Sequence, residues 1–155
     1  MEDLFAGVDV STQGQKIVII DLEKRSVIYS DSINYDIDLP KYNTLNGVLK
    51  DTDFGVSESN PNMWIDSLHL LFERLKTSSD IIQSIKAISI AGQQHGLVAI
   101  DKDGNLAKST SKLWNDFSTA EECEILTKEI GGSEQMITEV ANCLLYTSPS
   151  PRDSC

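Results

Sequence analysis

The chain has 155 residues, 40% of them hydrophobic and 24% charged, which is enough for one ordinary core. Its net charge of −11 argues against a surface built to neutralise nucleic-acid phosphates, and against docking on an anionic membrane. No apolar run reaches membrane-spanning length, and the acidic start Met1-Glu2-Asp3 lacks the basic and apolar regions of a signal peptide. The cytoplasm is therefore the expected compartment. Of the three cysteines, two fall in the terminal stretch described below, so Cys123 alone offers neither a disulfide framework nor metal-ligand spacing.

In chain order, Leu4 to Val10 reads as a strand, followed by a hydroxyl-rich turn and a second strand from Lys16 to Leu22. A polar turn, Glu23-Lys24-Arg25-Ser26, leads to a third strand from Val27 to Ile33, and the three make an antiparallel meander. Asp36 to Ser59 is polar with scattered Gly and Pro, and is expected to be a loop with little structure of its own. Asn60-Pro61 has the chemistry of a helix start. Trp64, Leu68, Leu71 and Leu75 then fall on one helical face, which is a core stripe, while His69 is expected at the surface. Ser84 to Ile90 alternates at period two as strand four, and Gly96 to Ile100 is expected to be strand five, ending in the turn Asp101-Lys102-Asp103-Gly104. Ser118-Thr119-Ala120-Glu121 has capping-box spacing ahead of a helix whose apolar side is Cys123, Leu126 and Ile130. Gly131-Gly132 ends that helix, and Ser133 opens a short last one.

Three places carry chemistry. The first is the turn after strand one, where Asp9 is delivered beside Ser11, Thr12, Gln13, Gly14 and Lys16. A carboxylate with hydroxyls and turn amides suits a hydrated divalent cation and phosphate oxygens. The plain alternative is a hairpin turn with a solvated Asp, since turns favour Asp, Ser and Gly in any case. The second is Ala91-Gly92-Gln93-Gln94-His95-Gly96, a polar loop leaving the end of a strand, where small-molecule sites commonly sit. Gln94 and His95 could hydrogen-bond a polyol, although a loop histidine is often structural. The third is Leu113-Trp114-Asn115-Asp116, whose aromatic face beside an amide and a carboxylate suits the C–H face and hydroxyls of a sugar.

The far end reads differently. Cys143-Leu144-Leu145-Tyr146-Thr147-Ser148-Pro149-Ser150-Pro151-Arg152-Asp153 has neither helical nor strand periodicity. It resembles the translation of a transposase-type sequencing adapter read in frame, which would make 143–155 a non-native tail and 1–142 the natural part. A natural Ser/Pro-rich linker is the alternative.

The motifs in this order resemble the FGGY carbohydrate kinases along almost all of Phe5 to Asn142. Gly7-Val8-Asp9-Val10-Ser11-Thr12-Gln13-Gly14 is similar to the family's phosphate-binding hairpin, and Lys16 falls where the family often has lysine. Glu58, Pro61 and Trp64 resemble its segment ahead of a helix. Gln93-Gln94-His95-Gly96 resembles the sugar-contacting loop of the ketopentose branch, and Leu113 to Asp116 followed by Glu121-Glu122-Cys123 resembles the next block. The resemblance implies an α/β, ribonuclease-H-like domain of the actin, hexokinase and Hsp70 group, here incomplete, with an antiparallel meander at its start. It implies ATP and Mg2+ as cofactors and a small-molecule sugar as substrate, with a homodimer of the intact parent as one expectation.

By residue, it implies that Asp9 holds the metal through water. Ser11, Thr12, Gln13, Gly14 and Lys16 would face the phosphates. Gln94, His95, Trp114 and Asp116 would bind or wall the sugar. It places the general base beyond Asn142, so the chain as given is expected to be inactive by itself. A non-catalytic sugar- or nucleotide-binding module of the same superfold stays open on the sequence alone.

Overall fold

The computed structural model describes residues 3–78, 80–94 and 96–140. Three strands run as a meander: β1 (Leu4–Val10), β2 (Gly14–Asp21) and β3 (Ser26–Asn34). Short connections permit only antiparallel neighbours, and β1 pairs with β2 from Leu4↔Asp21 to Val10↔Gln15. β2 pairs with β3 from Gly14↔Asn34 to Asp21↔Ser26, with an irregularity between Ile19 and Ile20.

The stretch expected to be an unstructured loop is instead a string of short elements. It holds α1 (Tyr35–Asp38), a 3-10 turn at Pro40–Tyr42, the small hairpin β4 (Thr44–Leu45) and β5 (Val48–Leu49), and β6 (Glu58–Ser59). Its order comes from polar side chains acting on backbone, which no hydrophobic periodicity announces. Asn34 Oδ1 caps α1 by accepting from the amides of Asp36 and Ile37. Asp36 accepts from Thr44 Oγ1 at 2.7 Å and from the amides of Asn46 and Gly47. Burial would raise the Asp36 carboxyl, but those hydrogen bonds outweigh it and hold it below the usual range.

α2 (Pro61–Ser78) follows the expected start, with Asn60 Oδ1 accepting from the Asn62 amide at 2.9 Å. Met63, Ser67, Leu71 and Leu75 are its buried row, flanked by half-buried Trp64, Leu68 and Phe72. That row packs on Leu4, Ala6 and Val8 of β1, Ile17 and Ile19 of β2, and Ile33 of β3. A 3-10 turn at Asp80–Ser84 then feeds β7 (Ile85–Gly92), which lies parallel to β1 and gives the sheet order β3-β2-β1-β7.

Strand five does not form. Between Gly96 and Ile100 only single bridges occur, Leu97↔Lys112 and Ile100↔Leu106, because the chain turns back at Asp101 rather than joining the sheet. β8 (Ser111–Lys112) pairs instead with β6. The capping box is also absent. α3 (Ala120–Ile130) starts after Thr119 with no side-chain cap, since the Ser118 hydroxyl is engaged by Asp116 and Lys112. Gly131, at φ +107°, closes α3 as expected, and α4 (Ser133–Val140) follows. No helix among the described residues is long and apolar enough to cross a membrane. The stretch 143–155 lies outside the described residues.

One contact ties the 36–59 segment to the first hairpin. Gly47 has φ +78°, and a Cβ there would sit 1.8 Å from the carbonyl oxygen of Thr12. Gly47→Ala is therefore expected to lower stability by about 1–3 kcal/mol, read as a fall in the thermal midpoint of the purified chain. An unchanged midpoint would mean that Thr12 and Gly47 do not pack in this way.

Candidate functional site

Alternation along β1 decides where Asp9 goes. Leu4, Ala6 and Val8 point at α2, so Phe5, Gly7 and Asp9 point to the opposite, open face of the sheet. Across the strand pair Asp9 faces Lys16, and both are exposed. Neither side chain makes a hydrogen bond or ion pair among the described residues. Together with Gly7, Val18, Ser89 and Ala91 they line a shallow concavity on that face. A second concavity adjoins it, where Asp9 and Lys16 meet Ser11, Gln13, Gly14, Ser32 and Asn34.

The turn itself is closely held. Ser11 donates twice to the Gly14 carbonyl, from its amide at 3.0 Å and its hydroxyl at 2.9 Å. The Tyr35 amide donates to the Gln13 carbonyl at 3.1 Å, and the Tyr35 hydroxyl to the Ser11 carbonyl at 3.3 Å. Burial pushes the Tyr35 phenol up to about 12, so this donor persists across the physiological range. Gly14 is needed for close approach, since a Cβ there would lie 2.2 Å from the Ile33 carbonyl oxygen. Sequence reasoning missed Tyr35. Its only signal was its place immediately after a strand that pairs with the turn.

Thr12 does something the motif alone does not suggest. Its hydroxyl donates to Gln93 Oε1 at 3.3 Å and accepts from Trp114 Nε1 at 3.1 Å. Gln93, just past the end of β7, is held by its own amide donating to the Val10 carbonyl at 3.1 Å. Thr12 thus joins the hairpin, the β7 loop and the Trp114 segment. Gln94 is exposed in the bend after Gln93, while His95 lies outside the described residues.

The Trp114 segment is fastened from below. Asp116 Oδ2 accepts from the Ser57 amide at 2.8 Å, and Oδ1 from Lys112 Nζ at 2.9 Å and Ser118 Oγ at 2.6 Å. Ser57 Oγ donates to Asn115 Oδ1, and the Leu113 amide to the Ser57 carbonyl. Glu58 accepts from Lys108 Nζ and Thr110 Oγ1, each at 2.6 Å. Both Asp116 oxygens are therefore committed to protein donors, and its carboxylate fixes the loop that presents Trp114. Burial alone would raise the Asp116 carboxyl; the bonds from Ser118, Ser57 and Lys112 hold it below the usual range. Hydrogen bonds from Lys108 and Thr110 lower Glu58 likewise.

This geometry can do two things. The open face offers one carboxylate, one ammonium and a Gly-containing turn, a setting for phosphate oxygens and a hydrated cation. Across Thr12 stands an indole with 36% of its surface exposed, beside a polar loop. The two lie on either side of Thr12, a geometry that can seat a phosphate on one side and a polyhydroxylated molecule on the other.

Known proteins match this chain in sequence and in fold. Residues 4–150 match the FGGY family of carbohydrate kinases, N-terminal domain, and the chain belongs to that family. Xylulose kinase of Schizosaccharomyces pombe is 38% identical over 94% of this chain and 29% of its own length. Xylulose kinase of Rattus norvegicus is 33% identical over 84% of this chain and 28% of its own. The chain thus spans less than a third of the length of these curated relatives.

Among solved structures, ligand-bound xylulose kinase from Lactobacillus acidophilus superposes with a TM-score of 0.68 at 24% identity. That match covers 88% of this chain and 24% of the other. Gluconate kinase from the same species gives 0.70 at 23%, over 89% and 25%. The fold is that of the actin and hexokinase group, as the motifs imply.

The carboxylate latch has a pH consequence. Asp116 and Glu58 both have folded-state values below their unfolded ones, so their stabilisation is full above the ordinary carboxylate range. It is lost as pH falls through the folded values. Asp116→Asn is expected to cost about 1–3 kcal/mol at neutral pH. It should also flatten the dependence of the thermal midpoint on pH below about 5. Equal slopes for the two proteins would remove Asp116 from the latch.

Proposed function

We propose that this chain is the amino-terminal part of an ATP-dependent sugar kinase that phosphorylates a ketopentose, D-xylulose to xylulose 5-phosphate. The observation that carries the reading is the junction at Thr12, which sets a phosphate-suited hairpin against an aromatic wall. The xylulose kinases among its relatives, at up to 38% identity, support the choice of sugar.

The donor set fits magnesium ATP. The Asp9 carboxylate is exposed and has no hydrogen bond or ion pair among the described residues, and magnesium commonly takes one or two carboxylates while keeping its waters. Asp9 would hold the ion through water. The ion, when bound, offsets charge on the phosphates and aligns them. Lys16 and the turn from Ser11 to Gly14 would steady phosphate oxygens, chiefly through backbone amides. Ser11 Oγ and Thr12 Oγ1 already donate elsewhere.

Gln94 and His95 would hydrogen-bond sugar hydroxyls, and Trp114 would pack on the sugar's C–H face, held there by Asp116. Catalysis in such a site is positioning and electrostatics, with the general base supplied from outside these 155 residues. The 155 residues alone are expected to show no turnover, and the parent is expected to work in the cytoplasm.

The full-length parent should be assayed with xylulose, ribulose, glycerol and gluconate, using coupled ADP detection. Xylulose is expected to lead. If glycerol or gluconate exceeds both ketopentoses by more than about tenfold in kcat/KM, roughly 1.4 kcal/mol of transition-state binding, the ketopentose reading fails. Absence of turnover with every sugar would favour a non-catalytic binding module.

Asp9→Asn in that parent should lower kcat about a hundredfold or more with a small change in the sugar KM. His95→Ala should chiefly raise the sugar KM. Equal effects of both changes on both constants would remove this division of roles.

A further inference from the structure

The Thr12 hydroxyl has one proton to give, and gives it to Gln93 Oε1 while accepting from Trp114 Nε1. An indole N–H can only donate, so Thr12 Oγ1 is the acceptor of the Trp114 bond, and its own proton goes to Gln93 Oε1. Beyond Gln93 the path reaches β1, since the Gln93 amide donates to the carbonyl of Val10, the residue after Asp9. On its other side Thr12 is pinned, its carbonyl resting against Gly47. Gln93 Nε2 is buried with no hydrogen-bond partner among the described residues, so Oε1 is the end of this side-chain amide that is bonded. Thr12 sits in the middle of the turn proposed to meet the phosphates, and Trp114 is the wall proposed to meet the sugar. The two candidate subsites therefore share one hydroxyl.

We propose that Thr12 is a positioning residue that couples the subsites: a phosphate on the turn amides and a sugar against Trp114 both act on one hydroxyl, and its bonds to Gln93 and Trp114 carry the link between them. Coupling of this kind is reciprocal, so sugar must tighten nucleotide binding by the same factor. The inference rests on the kinase reading above and adds to it a specific energetic link. A hydroxyl already spent on Gln93 and Trp114 has no proton left for a phosphate oxygen. Its removal should therefore affect the communication between ligands more than the binding of either one alone.

The test uses the full-length parent, with D-xylulose and a magnesium-bound non-hydrolysable ATP analogue. The sugar Kd is measured with and without saturating analogue. In the wild type the ratio is expected to be about fivefold or more in favour of the occupied state. Thr12→Val, which keeps the shape and removes the hydroxyl, should reduce that ratio by about threefold or more. Thr12→Ser should restore it. Trp114→Phe, which keeps a ring and removes the N–H, should reduce it similarly, and the Thr12→Val/Trp114→Phe double variant should lose no more than either single one.

The Phe variant also reads the coupling if the Val variant fails to fold. A wild-type ratio near one, a smaller loss in the variants, or additive losses would each overturn the proposal. Failure of the wild type to bind both ligands would instead strike the kinase reading, so the two can be told apart.

Discussion

Everything about this site depends on the period-two alternation of one strand. β1 must offer Leu4, Ala6 and Val8 to the buried row of α2, and a strand that does so has no choice about its other side chains. Phe5, Gly7 and Asp9 are thrown to the opposite face. A slip of one residue in register would bury Asp9 against the apolar row of α2 and expose the apolar set. The cost of burying an unpaired carboxylate, several kcal/mol, makes that slip prohibitive. The same hydrophobic contact that stabilises the sheet thus puts the carboxylate in water beside Lys16. The parallel addition of β7 then brings Gly92 level with Val10, and with it the Gln93 loop beside the hairpin.

The second layer of organisation is polar. The segments around Glu58 and Trp114 are far apart in sequence, and their sheet pairing among the described residues is a two-residue ladder, β6 with β8. Carboxylates and lysines supply what apolar burial does not. Lys112 stands between Glu58 and Asp116, at 3.9 and 2.9 Å, while Lys108 takes the outer side of Glu58. Ion pairs of this kind, between partly exposed lysines and buried or half-buried carboxylates, add little net stability. Their value is geometric: charged partners with directional hydrogen bonds fix one arrangement of a loop that could otherwise settle in several.

Legibility in the sequence followed the physics of each part. The meander and α2 could be read because their apolar residues repeat at the periods of a strand and a helix. Their ends agree with the structure to within a few residues, as for Pro61 at the start of α2. The 36–59 segment could not, because Asp36, Asn34 and Gly47 order it through backbone hydrogen bonds and one close approach, which leave no periodic trace. Leu97, Val98 and Ile100 look like strand residues, but the Asp101 turn folds the chain back before a strand can pair.

At the site, the hairpin's residue types were informative and their orientation was not. Ser11, Gln13, Gly14 and Lys16 gather around Asp9, whereas the Thr12 hydroxyl and both Asp116 oxygens turn to protein partners. No spacing rule shows where a hydroxyl spends its proton.

β7 carries a consequence for biosynthesis. Ile88 and Ile90 lie in register with Ala6 and Val8 but beyond the reach of α2, and remain 49% and 57% exposed. Chains emerge from the ribosome amino-terminus first. The sheet needs only two local hairpins and one helical crossover, all complete by residue 92, so it can assemble while later segments are still being made. Such a nascent sheet ends in a β-branched strip with nothing over it. Until it is covered, that strip is an open apolar edge on which further apolar surface can condense.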